Sequence, residues 1–137
     1  MIGEIAIKNQ PEKKDNQQSI TRLITLIRDN LTEDLLKDEY KKVSRVNKYV
    51  GHCYIASEVL YHILGGKDSG LRPIHGRLGD ISHWWLEDEN GRVIDLTADQ
   101  FPEGFPYEQG RGSGFLTKDP SKRARILIDR VLAIAKT

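Results

Sequence analysis

The sequence predicts an α+β protein, with helices packed on a small antiparallel sheet. Apolar residues recur at helical spacing in the first half of the chain and again near its end. Between these stretches, residues 72–97 read as strands punctuated by the turn signal Asp88-Glu89-Asn90-Gly91. A length of 137 residues fits one domain with its own core and leaves little room for a second.

Taken in order, residues 1–18 are expected to be a mobile arm ahead of a single domain over residues 19–137. The segment Asn9–Gln18 is polar and offers little to bury. Ile2, Ile5 and Ile7 could add a short strand before it. Ile20, Leu23, Ile24 and Ile27 then repeat with helical period, which predicts a helix over Ser19–Asp29 capped by Ser19. Thr32 is expected to cap a second helix to about Val43, with Leu35, Leu36 and Tyr40 on one face. A third helix should start near Cys53 and run to Leu64. Its stripe is Ile55, Val59, Leu60 and Ile63, and Gly65-Gly66 stops it. Arg72–Leu78 reads as a strand, and Ser82–Glu87 with Arg92–Thr97 as a hairpin. Phe101–Phe115 is rich in Gly and Pro and predicts a long loop, with Gly110–Gly114 as a mobile lid. Asp119 and Pro120 are placed to open a last helix that buries Ile126, Leu127, Val131, Leu132 and Ile134.

Composition narrows the function classes. Hydrophobic residues make up 38% and charged residues 30%, which is a globular balance with a wet surface. The net charge of +1 gives no bulk reason to expect nucleic acid or an acidic membrane as partner. No stretch approaches the roughly 20 apolar residues that span a bilayer. One cysteine makes no internal disulfide, and Met1–Lys8 shows no signal-peptide pattern. A reducing cytoplasm is therefore the expected location, the host cytoplasm if the chain is phage-encoded.

That cysteine carries the chemistry. A nucleophilic thiol needs a lowered pKa, and a helix N-terminus or a nearby imidazolium supplies it. Cys53 opens the third helix after Gly51, where the backbone can approach closely. The base should be a histidine whose tautomer a carboxylate fixes. His83 and Asp95 stand on the two hairpin strands. A two-residue turn at Asn90-Gly91 would put them on opposite faces. A type I turn over Asp88–Gly91, with Gly91 left-handed in a bulge, pairs Asp88 with Arg92 and Trp85 with Asp95. His83, Trp85 and Asp95 then share a face, so the triad requires the bulged hairpin.

The runs Ser82-His83-Trp84-Trp85-Leu86-Glu87 and Asn90-Gly91-Arg92-Val93-Ile94-Asp95-Leu96-Thr97, with Cys53 upstream, resemble the core of the transglutaminase-like, papain-like cysteine enzyme superfamily. The resemblance covers roughly residues 51–100. It implies Cys53 as nucleophile, His83 as general base and Asp95 as orienting carboxylate. Papain-like enzymes place an oxyanion-donating glutamine six residues before the cysteine. Here Asn47, a shorter amide, stands there, and the backbone N–H of Cys53 is the other candidate. The sequence also resembles small phage and bacterial proteins whose substrates are not characterised.

Other residues have blander readings beside sharp ones. His52 could touch substrate or tune Cys53, or point to solvent. His62 reads as a surface or interface residue. Trp84 and Trp85 face opposite ways; Trp85 could line a cleft on the His83 side, or both could simply pack. Gln100 could help to position the site or a substrate. Zinc held by Cys53, His83 and His52 or His75 lacks any supporting ligand spacing. Lys122, Arg123, Arg125 and Arg130 read as a solvated helix face. The expectation is a thiol hydrolase or acyltransferase acting on an amide or ester carbonyl of a protein, peptide or small molecule, with no metal or organic cofactor. The rival expectation is a non-catalytic binding or inhibitor module. The sequence leaves the oligomeric state open.

Overall fold

The structure, a computed structural model, describes residues 11–36, 51–115 and 118–135. Among them are three α-helices and one four-stranded antiparallel sheet, so the chain is α+β. The helices are α1 (Pro11–Asp29), α2 (Cys53–Ile63) and α3 (Lys122–Ala135). The strands are β1 (Arg72–Leu78), β2 (Ile81–Glu87), β3 (Val93–Ile94) and β4 (Arg111–Gly112), in the order β3-β2-β1-β4.

Helix α1 begins at Pro11, eight residues ahead of the Ser19 cap suggested by apolar periodicity. Pro11–Gln18, read from sequence as part of a mobile arm, is thus helical. Proline is pre-organised for the first helical position, and the Glu, Lys and Gln residues after it are good helix formers. The second predicted helix is described only at its start. There, Glu33–Leu35 forms a 3-10 turn, with Leu35 and Leu36 buried. The rest of it, and the strand expected at Ile2, Ile5 and Ile7, lie outside the described residues.

The last helix starts two residues later than expected. Ser121 is its cap: its Oγ accepts from Ala124 N at 3.3 Å and its carbonyl from Arg125 N at 2.9 Å. The cause is a buried carboxylate on α2. Glu58 accepts from Ser121 N at 2.6 Å and from Ser121 Oγ at 2.8 Å, which fixes where α3 can begin. Its buried residues are Ala124, Leu127 and Val131. Ile126, Leu132 and Ile134, expected in the core, are exposed. Ile126 and Leu132 lie off the buried stripe at about 100° per residue, and Ile134 falls in the final turn.

Strand β2 divides the core, because successive side chains point to opposite faces. Leu86 joins the helical core of Ile27, Leu31, Val59, Leu60, Leu96, Leu127 and Val131. Trp85 joins a second cluster with Ile74 and Phe105, flanked by Phe101 and Tyr107. The loop expected over Phe101–Phe115 supplies these aromatics and two more pieces of structure. One is a 3-10 turn, Tyr107–Gln109; the other is β4, which pairs with Ile74 and His75. The segment read as a lid, Gly110–Gly114, therefore contains the fourth strand. Gly110 leads into it because nothing larger fits: a Cβ there would lie 2.3 Å from Trp85 Cζ2 and 2.7 Å from Ile74 Cγ2.

Candidate active site

The hairpin turn decides where the site residues fall. Asp88 N donates to Arg92 O and Gly91 N to Asp88 O, both at 3.0 Å, with Gly91 at φ 79°. Leu86 pairs with Ile94 and Glu87 with Val93, the register of the bulged turn. The Asp88 carboxylate accepts from Asn90 N and Arg92 N, each at 2.9 Å, and locks the turn. Strand β3 ends at Ile94, short of the predicted Thr97. Asp95 Oδ1 accepts from Thr97 N at 3.0 Å, and this local bond turns the chain out of the ladder.

Asp95 and His83 meet across this hairpin. His83 Nε2 lies 2.7 Å from Asp95 Oδ2, and the two side chains are 0% and 3% exposed. Four donors surround the carboxylate. Thr97 N and Oγ1 reach Oδ1, while His83 Nε2 and the Tyr107 hydroxyl, at 2.6 Å, reach Oδ2. Phe101 and Phe105 close around the imidazole at centroid distances of 4.7 and 4.9 Å. Burial by itself pushes the His83 pKa down. The bond and charge of Asp95, with the nearby Cys53, outweigh it and raise the pKa from 6.5 to about 9.

Cys53 begins α2, buried at 8% exposure, after a left-handed Gly51 at φ 86°. Its thiol is close enough to act on the His83 ring. Asp95 occupies Nε2, so Nδ1 is the nitrogen left for the thiol, and Nδ1 is buried without an aligned hydrogen bond. The thiol therefore makes no formed hydrogen bond to Nδ1. Such looseness is common before a substrate tightens a site.

The other sequence candidates fall elsewhere. His52 is the N-cap residue of α2, and its carbonyl accepts from Ala56 N at 2.9 Å. Its side chain is buried, so it does not point to solvent. Trp85 is 0% exposed and lines no cleft; it packs behind His83 at 5.6 Å between centroids. Gln100 sits in the 3-10 turn Ala98–Gln100, with its Oε1 buried and unbonded. It makes no bond to Cys53, His83 or Asp95. Asn47 lies outside the described residues. His75 lies on β1 and bonds to Ser82 through Nε2. Burial first, then the charges of Arg77 and His83, lower its pKa. No cluster of three metal-ligating side chains occurs among the described residues.

Sequence reasoning missed Tyr107. The available signal was aromatic spacing: Phe101, Phe105 and Tyr107 interrupt an otherwise polar Gly/Pro segment. Aromatic side chains at such positions need a place to be buried.

Residues 16–134 match the model of the family described as YunG protein, so the chain belongs to that family. No curated protein and no solved structure matches it.

Proposed function

We propose that this YunG-family chain is a thiol hydrolase or acyltransferase, built on a transglutaminase-like core, that acts on an amide or ester carbonyl. The observation that carries the reading is the buried His83–Asp95 pair with the Cys53 thiol beside the same ring. In this reading His83 Nδ1 already holds the thiol proton at neutral pH, and the Cys53 thiolate attacks the carbonyl carbon. The C–S bond forms, the C–N or C–O bond breaks, and the imidazolium protonates the leaving amine or alcohol. Water or an amine then attacks the thioester as His83 takes its proton; the C–S bond breaks, Cys53 leaves as thiolate, and the acid or the transferred acyl product is released. The chemistry needs no cofactor. The substrate is a protein, a peptide or a small amide or ester.

A second reading, a non-catalytic binding module, is favoured by one observation. His83 is fully buried and Cys53 nearly so. A pair so enclosed can serve packing alone.

The experiment is acyl trapping with an activated ester, p-nitrophenyl acetate, read by intact mass. Wild type is expected to gain one acetyl group on Cys53, and Cys53→Ala none. The variant should keep its fold, with a stability loss of at most about 1–2 kcal/mol, because the deleted group is small. A wild-type protein that is not acylated, or a Cys53→Ala variant with full biological effect, would overturn the catalytic reading.

A further inference from the structure

We propose that Tyr107 is a positioning residue of this site that acts through Asp95. Its hydroxyl shares the carboxylate oxygen that holds His83, and so limits how firmly that oxygen grips the ring.

Two donors converge on Asp95 Oδ2: the Tyr107 hydroxyl at 2.6 Å and His83 Nε2 at 2.7 Å. Orientation of the carboxylate does not depend on Tyr107, because Thr97 already holds Oδ1 through its N–H at 3.0 Å and its hydroxyl at 3.4 Å. What the phenol adds is a share in the charge of Oδ2. A carboxylate oxygen with a strong second donor attracts an imidazolium less than one that serves the imidazolium alone.

The phenol is built to stay there. Its ring stands edge-on to Trp85 at 5.1 Å and 76°. Its backbone N–H donates to Phe105 O and its carbonyl accepts from Gly110 N, both at 2.9 Å. Burial, then the bond to Asp95 and its charge, raise the Tyr107 pKa above the ordinary value, so it remains a donor at every working pH.

The consequence rests on the reading of Cys53 as nucleophile. An imidazole that takes the thiol proton must later release it to the leaving group. An unshared carboxylate would retain that proton; the shared one gives it up more readily.

Tyr107→Phe keeps the ring and its packing and removes only the donor. The His83 ring is followed by NMR from pH 5 to 10 in wild type and Tyr107→Phe, each also in a Cys53→Ala background. Loss of the hydroxyl is expected to move the His83 titration to higher pH by about half a unit, roughly a threefold change in proton affinity, in both backgrounds. 3-Fluorotyrosine at position 107 keeps the fold and strengthens the donor, and should move the titration to lower pH. An unchanged His83 titration, or shifts opposite to these, would overturn the proposal. The readout needs neither substrate nor thiol, so an inert Cys53 would leave it standing and would count against the catalytic reading alone.

Discussion

At the scale of single residues, the site is a problem of burying charge. A carboxylate removed from water must be met by donors or lose its charge. Asp95 meets four, from Thr97, His83 and Tyr107. The imidazole gains from the same contact, and its pKa in the folded protein, about 9, lies above the ordinary 6.5. The folded state therefore binds the proton more tightly than the unfolded chain does. The resulting stability is complete below pH 6.5 and is lost as pH rises through about 9. The loss is expected to be on the order of a few kcal/mol. Urea midpoints at pH 6 and pH 9.5 check it against Asp95→Asn, in which the decline should flatten. Equal declines in the two proteins would place the stabilising contact elsewhere. The ordered Cys–His–Asp pattern could be read from sequence because each member sits in a regular element or at its edge. Tyr107 was marked only by the aromatic spacing of its segment, and its bond to Asp95 was not legible because the hydroxyl reaches it through the fold of an irregular segment.

At the scale of elements, turn chemistry proved more legible than element ends. Asp88 and Gly91 suit the first and fourth positions of a type I turn, and that local preference sets the register of the whole hairpin. The ends of elements were set by partners distant in sequence. Glu58 on α2 fixes the start of α3 at Ser121. Arg28 on α1 donates to Asp99 at 2.9 and 3.1 Å and to Leu96 O at 3.0 Å, tying the chain after β3 to the helices. No periodicity within one segment contains such information. Strand β4 is the extreme case, since Arg111 and Gly112, next to Gly110, carry no strand signal of their own. Close approach holds the segment there. Gly110→Ala would set a methyl 2.3 Å from Trp85 Cζ2 and 2.6 Å from Cη2. Both atoms belong to a fully buried indole, so relief requires the segment to move. A loss of about 1–3 kcal/mol is expected by chemical denaturation. A retracted Tyr107 should also weaken its bond to Asp95. Unchanged stability would show that the strand is not seated against Trp85.

At the scale of the whole molecule, one strand joins two cores. Leu86 packs with the helices, Trp85 with the loop aromatics, and His83 lies two residues before Trp85 on the same strand. The fold class was legible because both periods, helical and alternating, are strong in this chain. The phase of α3 was not. Five apolar candidates compete there for a stripe that admits Leu127 and Val131, and only packing against α1 and α2 chooses among them. The central claim, that Cys53, His83 and Asp95 act as one chemical unit, needs a measurement that sees all three. The rate of Cys53 alkylation by iodoacetamide, taken from pH 5 to 9 in wild type and Asp95→Asn, is that measurement. Free thiols react mainly above about pH 8.5, where the thiolate dominates. Wild type is expected to react rapidly well below that pH. Asp95→Asn should slow at neutral pH, with its profile moved toward that of a free thiol. Superimposable profiles, or a wild-type profile already that of a free thiol, would contradict the account.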